Sequence, residues 1–175
     1  MYFSDPAHNV AQFGLRVGDL VADLGAGVGH HALALAKAVD VSGKVYAVDL
    51  QKELLKELMV RARDAGVINI VPIAADIEKP KGTGLEENSV DAVLISNALF
   101  QSSDRFAFLK EAFRILKPSG EALIIDWNES FKGMGPSEKH LVSKDALNEI
   151  AEEVGFTFDR TIGAGDHHYG LIFKK

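Results

Sequence analysis

The sequence of 175 residues has no cysteine and a single tryptophan. Without cysteine the chain forms no disulfide, holds no metal through a thiolate and offers no cysteine nucleophile. Disulfides are typical of oxidising compartments, so a chain without cysteine fits the cytoplasm, which is the location that we predict.

Long apolar runs and an excess of positive charge are also lacking. No window approaches the roughly 18 uninterrupted apolar residues of a spanning helix, so the sequence predicts no membrane span. The first ten residues, MYFSDPAHNV, contain no basic segment followed by an apolar run, and we expect no signal peptide. The net charge of −6 argues against a nucleic-acid partner, because nucleic-acid binding needs a basic face.

Strands and helices alternate along the rest of the chain. Apolar runs predict strands at residues 19–25, 42–50, 68–76, 90–96, 122–127, 156–162 and 169–175. Apolar residues at helical spacing predict helices at 30–39, within 51–67, within 102–116 and at 143–154. This alternation predicts an α/β fold: one doubly wound, mostly parallel seven-stranded sheet with helices on both faces and an antiparallel last strand.

The helix within 102–116 illustrates how the buried faces are predicted. Phe106, Leu109, Phe113 and Leu116 recur at helical spacing and predict its inward face. The segment KPSGE at 117–121 predicts a turn that ends this helix.

Three glycines alternate in the segment DLGAGVG, directly after the first predicted strand. Gly25, Gly27 and Gly29 remove side chains where a ligand can touch the backbone, and the helix that follows offers N–H groups to an anionic group. Asp23, just ahead of them, attracts an amino group and repels a pyrophosphate. The pattern therefore favours a ligand with both an amine and a carboxylate. A dinucleotide fits less well, because His30 stands where the G-x-G-x-x-G motif has its last glycine.

This segment resembles the first motif of the class I, Rossmann-like S-adenosylmethionine-dependent methyltransferases, an acidic residue followed by x-Gly-x-Gly-x-Gly. The resemblance extends from about Gly18 to Phe173. It implies methyl transfer (EC 2.1.1 type) with S-adenosyl-L-methionine as cofactor and S-adenosyl-L-homocysteine as product. It also implies that the last, antiparallel strand lies between the fifth and sixth strands. We expect a single domain, in which residues 1–18 form an arm over the cofactor site and residues 19–175 form the core.

The resemblance assigns cofactor contacts to ten residues, which are Asp23, Gly25, Ala26, Gly27, Gly29, Asp49, Leu50, Asp76, Ile77 and Asn97. Asp49 matches the family's acceptor for both ribose hydroxyls, and Leu50 matches an adenine contact. Asp76 matches the acceptor for the adenine amine, Ile77 an apolar contact beside it, and Asn97 a contact to the methionine portion. The structural alternatives are a helix-capping carboxylate for Asp49, a solvated loop residue for Asp76 and a turn-forming residue for Asn97.

The catalytic residues stay unknown at this point, because a methyltransferase needs little acid–base machinery when its acceptor is already nucleophilic. If the acceptor needs a base, the candidates are histidines: His30, His31, His140, His167 and His168. A surface or helix-start position is the alternative for each of them.

We predict no metal site. The magnesium-dependent relatives carry acidic residues at the end of the fourth strand, where this chain has Ser96 and Asn97. The adjacent pair His167–His168, with Asp166, lacks the spacing of a metal site.

The acceptor is expected to be a small organic molecule, with a protein side chain as the alternative. The candidates to line its pocket are aromatic residues and a methionine: Phe3, Phe100, Trp127, Phe131, Met134 and Tyr169. The covering segments 1–18 and 128–140 are short, which implies an open site or a pocket completed by a second subunit in a homodimer. Arsenite is disfavoured because the chain has no thiol. A non-catalytic cofactor-binding protein and a nicotinamide-dependent oxidoreductase stay open as other classes.

Overall fold

The computed structural model describes residues 4–131, 133 and 135–175. The helices are α1 (Pro6–Ala11), α2 (His30–Ala38), α3 (Lys52–Asp64), α4 (Arg105–Ile115) and α5 (Lys144–Val154). The strands are β1 (Leu20–Leu24), β2 (Lys44–Asp49), β3 (Ile70–Ala74), β4 (Val90–Ser96), β5 (Leu116–Trp127), β6 (Thr157–Ile162) and β7 (His168–Lys174). Within these described residues, no helix is both long enough and apolar enough to cross a membrane.

The strands form one sheet in the order β3-β2-β1-β4-β5-β7-β6. The first five strands pair in parallel, and β7 runs antiparallel to both β5 and β6. This confirms the predicted doubly wound sheet and the position of the last strand. Because the first four strands are parallel, their carboxyl ends meet at one edge of the sheet, where β1 and β4 are neighbours.

Apolar side chains cover both faces of the sheet, as the buried strands require. On one face, buried residues of α4 and α5 such as Leu109 and Leu147 pack on the sheet. On the other face, Val10, Leu35 and Leu58 bring α1, α2 and α3 against it. Helices therefore lie on both faces, as predicted.

Helix α1 was not predicted, and it seats the N-terminal segment beside the carboxyl ends of the strands. Asp5 caps it by accepting a hydrogen bond from the Ala7 N–H at 2.9 Å, and Pro6 occupies its first turn. An aspartate followed by proline is a sequence signature of a helix start, and this signal was available in the sequence. The buried side chains of Val10 and Phe13 then hold this segment on the sheet.

Two predictions around α4 were wrong. Phe106 is 37% exposed, and the buried stripe instead contains Phe108, Leu109, Ala112 and Ile115. Spacing alone did not distinguish these two overlapping stripes. Leu116 is not the last helical contact but the first residue of β5, and it is fully buried.

The segment 117–121, predicted as a turn, lies inside β5 as a bulge. Val90 of β4 pairs with Leu116, and Ala92 pairs with Glu121, so the longer β5 segment must loop out between these pairs. Ser119 takes a positive φ of 64° there. The Lys117 ammonium holds the bulge to β4 through the Asp91 carboxylate at 2.6 Å.

A buried ion pair ties the loop before β4 to α4. The Glu111 carboxylate, 4% exposed, accepts hydrogen bonds from the Thr83 N–H at 3.1 Å and the Thr83 hydroxyl at 2.6 Å. It also accepts from the Arg114 guanidinium at 2.8 Å. Burial raises the pKa of Glu111, but the hydrogen bonds from Arg114 and Thr83 outweigh it and lower that pKa overall.

We expect Glu111→Ala to destabilise the fold by about 3 kcal/mol, because it leaves buried donors on Thr83 and Arg114 without an acceptor. The control is Glu57→Ala on α3, which removes an ion pair to Arg61 of similar length, 2.7 Å, whose side chains are 41% and 49% exposed. The control should cost less than about 1 kcal/mol. Urea denaturation measures both values, and equal losses would contradict the prediction.

Candidate functional site

A cavity of about 710 Å³ opens at the carboxyl ends of β1, β2, β3 and β4. Open α/β sheets bind ligands at this edge, where the strand order reverses, and the volume is typical of small-molecule sites. Nine of the ten predicted cofactor residues line it: Asp23, Gly25, Ala26, Gly27, Asp49, Leu50, Asp76, Ile77 and Asn97. Gly29 does not line the cavity.

The three glycines of the turn after β1 all have positive φ, at 81°, 54° and 85°, but the space around Gly27 differs from that around the other two. A Cβ on Gly25 would stand 2.6 Å from the Cβ of Ala98, in the loop after β4. A Cβ on Gly29 would stand 2.4 Å from Cγ of Leu58 on α3. A Cβ on Gly27 would meet nothing within 4 Å, so this residue keeps its side of the cavity open.

Several backbone N–H groups of the turn are bound within the protein. Gly25 and Ala26 donate to the Val48 carbonyl at 2.8 and 3.0 Å, and Gly27 donates to Oδ2 of Asp49 at 2.8 Å. These three groups fix the turn against the end of β2. They are not the N–H groups that the sequence analysis offers to an anion, which belong to the start of the following helix α2.

Asp23 is a buried carboxylate at the end of β1, only 2% exposed. Its Oδ2 has no hydrogen-bond partner among the described residues. Burial, and then the charge of Asp49, raise the pKa of Asp23 from 3.8 to about 7, against a hydrogen bond from the Ala32 backbone. A buried carboxylate oxygen without a partner is costly, and a cationic ligand group would relieve that cost.

Asp49 lies at the end of β2 and accepts two backbone hydrogen bonds at 2.8 Å, from Gly27 to Oδ2 and from Gln51 to Oδ1. A carboxylate has about four acceptor positions, so it keeps capacity for ligand hydroxyls. Leu50 beside it is 68% exposed, although it is a large apolar side chain that lines the cavity.

The end of β3 contributes Asp76, Ile77 and Glu78. Asp76 accepts a hydrogen bond from the Glu78 N–H at 3.1 Å, and Ile77 is buried. Glu78, which the sequence analysis did not single out, accepts from the Ser102 hydroxyl at 2.7 Å and the Ser103 N–H at 3.0 Å. Burial raises the pKa of Glu78, but these hydrogen bonds from Ser103 and Ser102 lower it overall. The bonds join the loops after β3 and β4 along one wall of the cavity.

The end of β4 contributes Ser96 and Asn97. Asn97 has a positive φ of 55°, a conformation that asparagine tolerates better than most residues, and its N–H donates to the Ile125 carbonyl at 2.9 Å. Oδ1 of Asn97 and Oγ of Ser96 are buried and have no partner within the described part of the chain. Both side chains therefore offer hydrogen-bonding atoms at the cavity.

None of the remaining lining was assigned to a cofactor contact by sequence reasoning. These residues are Ser4, Pro6, Val28, His30, His31, Gln51, Leu54, Ala75, Glu78, Ser96, Ala98, Gln101, Ser102 and Phe108. Several are sequence neighbours of a predicted cofactor residue, such as Val28, Gln51 and Ala75, so those motif positions were their available signal. The described lining includes the carboxylates Asp23, Asp49, Asp76 and Glu78 but no lysine or arginine.

Unlike the predicted cofactor residues, most of the residues proposed as bases or acceptor contacts do not line the cavity. Of the candidate histidines, His30 and His31 line the cavity. His140 is exposed and lies 2.9 Å from the Ser137 hydroxyl through Nδ1, whereas His167 and His168 are buried around the start of β7.

The candidate acceptor aromatics do not line this cavity where the structure describes them. Phe100 and Tyr169 pack in the core, and Tyr169 donates a hydrogen bond to the Val142 carbonyl at 2.9 Å. Trp127 packs on His168, and Phe131 stacks on His167. Phe3 and Met134 lie outside the described residues.

Comparisons with known proteins agree with this geometry. The family model described as a methyltransferase domain matches residues 21–120. A ubiquinone/menaquinone biosynthesis C-methyltransferase from Chromobacterium violaceum is 33% identical over 123 residues, covering 70% of this chain and 49% of that protein. The structure of an S-adenosylmethionine-dependent methyltransferase from Aquifex aeolicus matches with a TM-score of 0.88 and 29% identity, covering 98% of this chain and 89% of that one.

A third similar protein is an arsenic(III) S-adenosylmethionine methyltransferase from Chlamydomonas reinhardtii. Its structure matches with a TM-score of 0.71 and 25% identity, covering 90% of this chain and 63% of that one. This chain spans about half the length of the curated relatives that it matches. The family model covers more than half of the chain, including β1, the glycine turn and β4. On this evidence the chain belongs to the class I S-adenosylmethionine-dependent methyltransferase family.

Proposed function

We propose that this chain transfers a methyl group from S-adenosylmethionine to a small organic acceptor, and that the cavity beside the glycine turn holds the cofactor. The observation that carries this proposal is the charge of the cavity. Buried carboxylates line it without a lysine or arginine among its described residues, and one oxygen of Asp23 has no partner. A ligand with a sulfonium and an ammonium group supplies the positive charge that these carboxylates need.

The residues present fit the parts of this cofactor. Asp23 would hold the ammonium group through its unpartnered Oδ2, and Ser96 and Asn97 would contact the methionine portion. Asp49 would accept from the ribose hydroxyls with its remaining lone pairs. We assign the adenine to Leu50, Asp76 and Ile77. Leu50 and Ile77 would pack against the ring, and Asp76 would accept a hydrogen bond from its amine. These roles follow the family resemblance and agree with the exposure of Leu50.

When bound, the cofactor supplies an electrophilic methyl group, so the protein's task is placement. The turn fixed by Gly25 and Gly27 would set the position of the ligand, and the loops joined by Glu78 would enclose one side. We also propose that residues 1–18 are an arm over the cofactor site within a single domain. Support for the arm comes from Ser4 and Pro6, which line the cavity.

A small organic acceptor is supported by two observations. The curated relatives carry the name of a C-methyltransferase of ubiquinone and menaquinone biosynthesis, and the described lining has no lysine or arginine to hold a nucleic acid. The absence of cysteine argues against the acceptor named for the arsenic methyltransferase, because trivalent arsenic binds thiols.

The direct test is calorimetry of the purified chain with S-adenosylmethionine, S-adenosylhomocysteine and NAD. We expect the first two to bind with micromolar-range Kd values, on the order of −8 kcal/mol. Asp49→Ala should abolish this binding, because it removes the ribose acceptor and the bond that fixes Gly27. Asp64→Ala, at the exposed last residue of α3, is the control and should bind normally. Tight binding of NAD instead would reject the proposal.

Transfer of labelled methyl from the cofactor into a cell extract should label small molecules, and label confined to protein would reject the small acceptor.

A second test uses two glycines with similar backbone conformations. Gly27→Ala should weaken cofactor binding at least about tenfold, since its Cβ enters the cavity. Gly66→Ala is the matched control, because Gly66 has a φ of +68° and a Cβ there also meets nothing within 4 Å, yet it lies after α3 outside the cavity. Both variants should be destabilised by about 1 kcal/mol, because alanine is strained in a left-handed backbone conformation. Equal cofactor binding by the two variants would show that Gly27 does not face the ligand.

The pH dependence of Asp23→Asn gives a third test. In the unfolded chain Asp23 loses its proton near pH 3.8, but in the folded chain only near pH 7, so stability falls as pH rises between these values. Asp23→Asn removes this loss. We expect the variant to match the wild type near pH 4 and to be more stable above pH 7 by on the order of a few kcal/mol. It should also bind the cofactor at least about tenfold more weakly.

Urea denaturation from pH 4.5 to pH 8, with calorimetry at pH 7.5, measures both effects. Higher stability together with weaker binding distinguishes a ligand-binding carboxylate from a structural one. A variant that is less stable at every pH would contradict the prediction.

A further inference from the structure

Two residues that line the cavity, Ser4 and His31, are joined by contacts that the cofactor assignment does not use. Ser4 lies just before α1, and His31 lies in the first turn of α2. Asn9 of α1 is fully buried between them. Its Nδ2 donates to the Ser4 hydroxyl at 2.8 Å and lies 3.3 Å from Nε2 of His31. One amide group therefore connects the N-terminal arm to the wall of the cavity.

The Asn9 amide determines which nitrogen of His31 carries the ring proton. An amide nitrogen donates and does not accept, so Nε2 of His31 accepts from it and the proton of the neutral ring lies on Nδ1. In this orientation both N–H groups of Asn9 have acceptors, and only its Oδ1 lacks a partner among the described residues. The reversed amide would bury two N–H donors without acceptors, which is less favourable.

His31 is uncharged at neutral pH and has one donor to offer. Burial, followed by the charges of His30 and His168, lowers the pKa of His31 to about 4, although Asp5 opposes this. The acceptor nitrogen of the neutral ring is bound to Asn9. Nδ1 makes no hydrogen bond within the described residues, and His31 keeps partial exposure where it lines the cavity. The ring therefore offers one N–H group to a ligand.

The position of His31 along α2 places it at the amino-acid end of the cofactor. The N–H of Ala32, the next residue, donates to the Asp23 carboxylate. Asp23 is the residue that would hold the ammonium group of the cofactor. In S-adenosylmethionine the ammonium and carboxylate groups are attached to the same carbon. A cofactor bound to Asp23 therefore brings its carboxylate close to the start of α2.

A ligand carboxylate needs a hydrogen-bond donor in this cavity. The described lining contains four carboxylates and no lysine or arginine, so no such cation is available there to pair with it. A carboxylate that leaves water without gaining donors is strongly disfavoured. The N–H of Ala32 is already bound to Asp23. The ring N–H of His31 is a donor without a partner among the described residues, and it lies in the same turn of α2.

We propose that Nδ1 of His31 donates a hydrogen bond to the cofactor's carboxylate and that Asn9 holds the ring in the tautomer that does so. This proposal rests on the proposed function and adds a residue that recognises the amino-acid end of the cofactor. Asn9 is a positioning residue, since it acts on the ligand only through His31. Helix α1 thus affects cofactor binding through a contact on the far side of the ring.

The test compares S-adenosylhomocysteine with its decarboxylated analogue, S-adenosyl-3-thiopropylamine, which keeps the ammonium group. Calorimetry measures both ligands with the wild type, His31→Leu and His31→Asn. Leucine and asparagine are similar in size, but only asparagine keeps an N–H group as many bonds from Cα as Nδ1. We expect His31→Leu to weaken S-adenosylhomocysteine binding at least about tenfold and to leave the analogue within about twofold. His31→Asn should bind S-adenosylhomocysteine within about threefold of the wild type.

The tautomer gives a second readout that needs no ligand. Nitrogen-15 spectra of the histidine rings, with His31→Leu used to assign the signal, should show the His31 proton on Nδ1 in the wild type. Asn9→Ala removes the donor to Nε2, so it should reduce this tautomer and weaken the binding of S-adenosylhomocysteine but not of the analogue. His140→Leu, at an exposed position, is the control and should change none of these values. Should Asn9→Ala fail to fold, the wild-type spectrum still decides the tautomer.

Three results would overturn the proposal. Equal weakening of both ligands by His31→Leu would show that His31 supports the shape of the cavity and does not bind the carboxylate. A proton on Nε2 in the free wild type would reject the role of Asn9. His30 is exposed and lines the same cavity, so selective loss of S-adenosylhomocysteine in His30→Leu but not in His31→Leu would assign the carboxylate to His30. Failure of the wild type to bind either ligand is a separate outcome, and it would remove the proposed function together with this inference.

Discussion

The carboxylate of Asp49 is the contact on which the geometry of the cavity depends. It accepts from Gly27 in the turn after β1 and from Gln51 at the start of α3. The carbonyl of Val48, one residue earlier, accepts from Gly25 and Ala26. The end of β2 therefore fixes the shape of the turn that follows β1. Because the side chain that would contact the ligand also shapes the backbone beside it, binding and local structure are coupled at this position.

Two carboxylates lie close together in the same region, and their negative charges destabilise the folded chain. Burial disfavours the ionisation of Asp23, and Asp49 lies close enough that its charge adds to this effect. A protein selected only for stability would place an apolar residue at the end of β1. Destabilising groups of this kind are typical of functional sites, where a ligand compensates for the cost. At the end of β4, the buried oxygens of Ser96 and Asn97 also lack hydrogen-bond partners among the described residues, and a bound ligand would compensate for that cost in the same way.

The sequence was sufficient to predict the sheet and nine of the residues that line the cavity, because both follow from local signals. Buried parallel strands are continuous apolar runs, and ligand contacts follow strand ends. Gly29 shows the limit of this reasoning, since its spacing matches the motif although its neighbour is Leu58 rather than the cavity. The bulge at 117–121 was missed because proline, serine and glycine also form turns, and only pairing with β4 distinguishes the two. The contact between Asn9 and His31 could not be predicted, because the two residues meet only in the folded chain.

The position of β7 has a consequence for how the chain reaches this structure. β7 lies between β5 and β6, although it follows both of them in sequence. While the nascent chain emerges from the ribosome, β6 has no neighbour in the sheet until β7 has been synthesised. β5 exposes an unpaired edge of apolar residues for the same interval, and such edges are prone to aggregation. The sheet is thus completed by inserting a strand rather than by adding one at its edge, so its last pairing step waits for residues 168–174.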